Sequence, residues 1–88
     1  MTTMDFEQFK KQWEAKWIEV YVQRVTSAHD ERMVGHEYWF RKIQQEGIHT
    51  TIFFNGSFGW SREDAEREAM LCVKNPYYMN KIKKYINE

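Results

Sequence analysis

The sequence predicts an α+β fold of order α-β-β-β-α, with a three-stranded antiparallel sheet and a short C-terminal helix. Three observations predict it. Aromatic residues recur at helical spacing near the N-terminus. Three runs of alternating apolar and polar residues follow, parted by short polar connections. The stretch FGWSREDAEREAM (58–70) then brings a glycine, a serine cap and alanines four apart.

In the first helix, Thr2 or Thr3 is the expected cap, and Asp5 and Glu7 suit the positive end of the dipole. Phe6, Phe9, Trp13 and Trp17 fall near one face, with Glu7, Lys10, Lys11 and Glu14 elsewhere. That aromatic face reads as core, not as a binding platform. Ile18, Val20 and Val22 then alternate with Glu19, Tyr21 and Gln23, which favours a strand. No Gly or Pro separates Trp17 from Ile18, so the alternative is a helix that runs on to about Thr26.

Ser27 to Gly35 is polar and reads as a connection. EYWFRKI (37–43) sets Tyr38, Phe40 and Lys42 against Trp39, Arg41 and Ile43. Glu46-Gly47 offers a turn. IHTTIFF (48–54) is the clearest strand, and Asn55-Gly56 reads as the turn that bounds it. Asn55-Gly56-Ser57 also matches a glycosylation sequon, taken as chance because no secretory signal is evident.

For the second helix, Ser61 is the N-cap and Asp64, three residues on, completes a capping box. Acids in a first turn are favoured by the helix dipole. Ala65, Ala69, Cys72 and Val73 share a face, and the two alanines let the helix lie close to a sheet. Asn75-Pro76 ends it. A last helix, about 77–86, places Tyr78, Ile82, Tyr85 and Ile86 inward and Lys81, Lys83 and Lys84 outward.

These elements fill a single domain over residues 1–88, with a core in 1–75 and a helical extension in 76–88. A chain of 88 residues has a thin core, and its 17% aromatic content compensates, because each ring buries a large area. Cys72 is the one cysteine, so no intrachain disulfide forms. The N-terminal stretch lacks an apolar signal region, and no apolar run approaches the ~18–20 residues that cross a bilayer. A cytoplasmic location without membrane attachment is the expectation.

Thirteen basic and thirteen acidic side chains cancel. That balance argues against sequence-blind nucleic-acid binding, which draws on a basic surplus. The tail is the locally basic stretch: residues 74–87 carry Lys74, Lys81, Lys83 and Lys84 and no acid.

The predicted order resembles the double-stranded-RNA-binding domain. The likeness is most specific at the second helix, where that family runs Gly-x-Ser-Lys-Lys-x-Ala-Lys-x-x-Ala-Ala. Here the stretch is Gly59-Trp60-Ser61-Arg62-Glu63-Asp64-Ala65-Glu66-Arg67-Glu68-Ala69-Met70. The turn glycine, capping serine and packing alanines stand in place. Gly35-His36 falls between the first two proposed strands, where the family often keeps a glycine and a histidine that touch the RNA minor groove. The resemblance implies phosphate contacts from lysines of the second helix. Arg62 keeps a positive charge, but Glu63 and Glu66 stand at the other two lysine positions. An anion there repels a polymer of dense negative charge, and shape readout of A-form RNA rests on the same contacts. The resemblance therefore implies the fold and argues against its usual ligand.

Other constellations are poor. His29, His36 and His49 with Asp30, Glu37 or Cys72 lack metal-ligand spacing. Cys72 lies on a core-facing helix surface, where a thiolate is disfavoured. Glu63/Asp64 and Glu66/Glu68 read as a solvated helix face, without the pocket that acid–base work needs. FNGSFG lacks the Gly-Lys-Ser/Thr ending of a phosphate loop. Tyr77, Tyr78 and Tyr85 interleave with lysines, yet hydrophobic spacing favours a docked amphipathic helix. Depending on register, Tyr38, Phe40, Ile52 or Phe54 form an exposed apolar patch on the sheet, and such a patch marks a partner site.

The expectation is a small non-enzymatic interaction or regulatory protein without cofactor or metal. Its partner is a macromolecule, most readily a protein, met through Trp60, Glu63, Asp64 and Glu66. Size and composition fit a regulator or a phage-type inhibitor of a host factor, and a homodimer is left open. The alternative is a nucleic-acid-binding module using His36, Arg62, Lys74, Lys81, Lys83 and Lys84. A small-molecule or enzymatic role near Gly59 and Ser61 ranks last.

Overall fold

A computed structural model describes residues 5–44 and 46–86. Helix α1 (Phe6–Glu14) is capped by Asp5. Its carboxylate accepts the Gln8 N–H at 2.8 Å, while Gln8 Oε1 accepts the Asp5 N–H at 3.3 Å. This reciprocal pair satisfies two amides that a helix start otherwise leaves open. The cap is thus Asp5, and Thr2 and Thr3 lie outside the described residues. After Glu14 the chain turns, and Trp17 adopts a left-handed φ of 62°. A helix cannot continue through that conformation, so a strand begins at the next residue. Phe6, Phe9 and Trp13 face the core, whereas Trp17 is 57% exposed and leaves that face.

Strands β1 (Ile18–Thr26), β2 (Val34–Ile43) and β3 (His49–Ser57) form an antiparallel sheet of order β1-β2-β3. Helices α2 (Arg62–Cys72) and α3 (Pro76–Ile86) follow. The architecture is α+β, as the periodicities predict.

Alternation gives the sheet two unlike faces. Ile18, Val20 and Val22 of β1, Tyr38 and Phe40 of β2, and Phe53 of β3 are buried together with side chains of the helices. Phe9 and Trp13 of α1 each meet Phe40 edge-on at 6.2 Å. Ala65 and Ala69 of α2 have no exposed surface, so the backbone of α2 sits close above the sheet. Tyr78 of α3 lies 4.9 Å from Phe53, and Ile82 is fully buried. The C-terminal helix is therefore part of the core and not only an appendage to it.

The sheet departs from its expected boundaries at two glycines. β3 does not stop at Asn55-Gly56. Asn55 pairs with Tyr38 and Gly56 with Glu37, and the turn comes afterwards, at Phe58-Gly59. A Cβ on Gly56 would stand 2.4 Å from the Glu37 Cβ. The glycine permits close approach of two strands, a role that composition does not separate from turn formation. Likewise β2 starts at Val34, so Gly35 and His36 lie inside that strand and not in the connection before it. A Cβ on Gly35 would stand 2.0 Å from the Ser57 carbonyl oxygen. Between the pairs Phe40–Phe53 and Arg41–Thr51, Ile52 is left over as a bulge.

Candidate functional site: the open face of the sheet

All three helices pack on the face that carries Val20, Tyr38 and Phe40. The opposite face presents Glu19, Tyr21 and Gln23 from β1, Glu37, Trp39 and Arg41 from β2, and Phe54 from β3. None of these seven residues is buried. The register sets Tyr21 opposite Trp39, and Trp39 opposite Phe54. Their rings form one stack across the three strands. Tyr21 and Trp39 are 6.0 Å apart, Trp39 and Phe54 are 4.2 Å apart, and each pair is inclined by 10°.

Polar groups fix this stack from the sides. The Arg41 guanidinium lies 4.8 Å from the Tyr21 ring centre and is ion-paired with Glu19. The Glu37 carboxylate accepts the indole N–H of Trp39 at 2.7 Å and a second hydrogen bond from Gln23. Partial burial raises the Tyr21 hydroxyl above its ordinary pKa. Glu19 and Arg41 thus neutralise each other, Glu37 is held by neutral donors, and Phe54 remains 54% exposed. Beside it, Val25, Glu37, Gly56, Ser57 and Phe58 line an open hollow of about 440 Å³. The face offers aromatic surface with a polar rim in which Glu37 carries a negative charge without an ion pair among the described residues.

The residues singled out from the sequence are distributed otherwise. Trp60 is half-buried and stacks on Tyr38 at 6.3 Å, and its carbonyl oxygen lies 3.2 Å from His36 Nδ1. Both residues hold the strand-to-helix turn. Ser61 Oγ accepts the Asp64 N–H at 3.1 Å and Asp64 returns the bond at 3.0 Å, which is the expected capping box. Those contacts, the Ser61 N–H foremost, lower the Asp64 pKa, and Arg67 pairs with the same carboxylate. Glu66 pairs with Arg62 at 3.5 Å. Of the three acids, Glu63 alone is exposed without an ion pair among the described residues.

The basic set does not gather into one surface element. His36 lies in β2, Arg62 opens α2, Lys74 follows that helix, and the remaining lysines ride on α3. Lys81 is held 4.4 Å over the Tyr77 ring, while Lys74, Lys83 and Lys84 are exposed. Lys42, which sequence alternation places on the inward side, donates to the Tyr85 carbonyl oxygen at 3.0 Å and so steadies the end of α3.

Of the four sheet residues proposed as a patch, Tyr38 and Phe40 are buried, Ile52 is half-buried and Phe54 is exposed. Cys72 is buried, and its S–H donates to the Ala69 carbonyl oxygen at 3.1 Å. Burial pushes its thiol up to about 12, so the nucleophilic thiolate is not populated near neutral pH. Among the described residues, no group of three or more His, Cys, Asp or Glu side chains is placed to hold a metal, and no helix is long and apolar enough to cross a membrane.

Tyr21, Trp39 and Arg41 did not stand out in the sequence as site residues. The available signal was their position, out of phase with the core residues of the same strands. In comparisons with known proteins, no family model, no curated protein and no solved structure matches this chain.

Proposed function

We propose that this chain is a non-enzymatic interaction module that docks a protein partner on the open face of its sheet. The observation that carries this reading is the Trp39–Phe54 stack, displayed on a face that no helix covers. Trp, Tyr and Arg are the residues that most often dominate binding energy at protein interfaces. Here all three types occur together, already oriented by Glu19, Glu37 and Gln23, so little side-chain freedom is lost on binding. A phosphate polymer is a poorer fit to this face. Arg41 is matched by Glu19, and Glu37 adds a negative charge. In this reading the scaffold is a double-stranded-RNA-binding-like one whose phosphate grip is lost at Glu63 and Glu66. A domain of this size acts by occupying another protein's surface, as a regulator or inhibitor does.

Quantitative affinity capture with wild-type and Trp39→Ala baits tests the assignment. The expected result is a protein recovered with wild type and lost with the folded variant. Equal recovery by both would remove the sheet face as the site. Fluorescence anisotropy with duplex RNA at two salt concentrations tests the nucleic-acid reading, which the exposed Lys74, Lys83 and Lys84 favour. Tight binding with a steep salt dependence would put that reading first.

A further inference from the structure

We propose that a second copy of this chain pairs antiparallel with the free edge of β3 over Phe53–Ser57, each Phe54 ring entering the hollow beside Gly56 of the other copy. This pairing does not depend on the docking of a protein partner. It begins with hydrogen-bond direction. Ile43 donates its N–H to Trp17 and Gln44 donates to Ile48, so alternate residues of β2 address β1 and β3. Glu37 and Trp39 share the phase of Ile43. Their partners Gly56 and Phe54 therefore turn their N–H and C=O groups to the outer edge. The Gly56 N–H is met there at 2.9 Å by Asn55 Oδ1, a side chain standing where a neighbouring strand would supply a carbonyl.

Sheet edges are ordinarily guarded by charge or proline. β1, the other edge, carries Glu19 and Arg24. The β3 sequence HTTIFFNGS contains no Lys, Arg, Asp, Glu or Pro. The bulge at Ile52 interrupts its first half and leaves Phe53–Ser57 as the regular run. The chain has no net charge, so copies do not repel at long range.

Self-complementarity selects a second copy over an unrelated strand. A two-fold axis through Asn55 sets Phe54 opposite Gly56 of the partner copy, and Gly56 opposite its Phe54. Phe54 is an exposed ring, and Gly56 has no side chain to block it. Val25, Glu37 and Phe58 wall the receiving hollow. Ring and hollow lie two residues apart on one strand, which is the spacing that an antiparallel two-fold superposes. The edge-directed backbone groups of Phe54 and Gly56 then exchange hydrogen bonds in both symmetry-related pairs.

Sedimentation equilibrium over a concentration series, with wild type and Asn55→Asp, tests the pairing. Asp keeps the Oδ1 acceptor for the Gly56 N–H but replaces the amide beside the Tyr38 hydroxyl, so circular dichroism first verifies that the variant is folded. At the axis it sets two carboxylates directly opposite each other. The expected result is a wild-type dimer whose dissociation constant rises about fivefold in the variant, with partial recovery in molar salt. In wild type, the Phe54 amide should also gain hydrogen-exchange protection with concentration. A wild type that stays monomeric overturns the proposal. So does a dimer indifferent to Asn55→Asp, or one in which Phe54 gains no protection.

Discussion

Trp39 and Phe54 face each other across β2 and β3 with ring centres 4.2 Å apart, on the side of the sheet that the helices leave bare. Phe40, the next residue along β2, points the opposite way and has no exposed surface. Adjacent aromatic residues thus lie on opposite faces of the sheet, one in the open stack and one in the core. Trp39→Ala breaks the pairs with Tyr21 and Phe54 and should cost about 1–3 kcal/mol, from about 0.5–1.5 kcal/mol per aromatic pair. Phe40→Ala should cost about 3–5 kcal/mol, as a fully buried ring does. Urea unfolding of both variants checks the contrast. Equal costs would show that the outer stack is a second core.

The Ser61–Asp64 box starts α2, and its loss should be felt as a helix-capping loss. Ser61→Ala is expected to cost about 1 kcal/mol, a shift of roughly 4–8 °C in Tm for a domain of this size. Asp64 has a depressed pKa in the folded chain, owing first to the Ser61 N–H. Its contribution is present above the unfolded-state value of about 3.9 and fades as pH falls towards the lower folded value. Asp64→Asn should therefore flatten part of the acid limb. Urea midpoints between pH 3 and 6 measure it.

Cys72 gives the opposite limb. Its thiol is raised from 9.0 to about 12 by burial, and the Tyr38 hydroxyl facing it is raised as well. The unfolded chain loses the thiol proton first. The stability linked to that proton is complete below the unfolded value and declines from about pH 9 towards 12. Wild type should exceed Cys72→Ala in Tm at pH 7, and the gap should narrow at pH 10–11. A thiol reagent at pH 8 should react at the rate of unfolding and not of free thiol.

Gly35 is needed because a backbone group occupies the space of its missing side chain. A Cβ there would meet the Ser57 carbonyl oxygen at 2.0 Å, and that oxygen also accepts the Trp60 N–H at 3.2 Å. Gly35→Ala must push β2 and β3 apart at the point where the chain turns into α2. The expected cost is about 2–3 kcal/mol, that of a forced core overpacking. Differential scanning calorimetry reads it directly. A variant within error of wild type would mean that this end of the sheet yields freely.

The element order was legible because each period is written in side chains that had to be buried. Phe6, Phe9 and Trp13 mark one helix, and Ile18, Val20 and Val22 mark one strand face. Ser61 and Asp64 declare a helix start by local chemistry alone. What was not legible depends on pairing. Gly56 reads as a turn until Glu37 is placed against it, and Trp60 reads as an exposed ring until Tyr38 lies beneath it. The sheet site is of the same kind. Tyr21, Trp39 and Phe54 lie far apart in sequence, and register alone brings them into one stack. The acids of α2 read from the sequence as a contact surface, yet Asp64 and Glu66 are engaged within their own helix.

That engagement sharpens the last prediction. Glu66 is paired with Arg62, so Glu66→Lys both removes an anion and releases the guanidinium. Glu63→Lys changes an exposed position at the start of the same helix. Both lie on solvent-facing turns of α2, away from Ala65, Ala69 and Cys72, and the capping box is untouched, so the double variant should fold. If the scaffold is a double-stranded-RNA-binding-like one, the double variant presents cations at the positions where that family grips phosphate. Duplex RNA binding should then be stronger than that of wild type and weaken steeply with salt, as counterion release requires. Anisotropy titrations at 50 and 200 mM salt, with circular dichroism to verify the fold, measure the gain. A folded double variant with no gain would separate this chain from that family's mode of binding and remove the support that the likeness lends to the proposed scaffold.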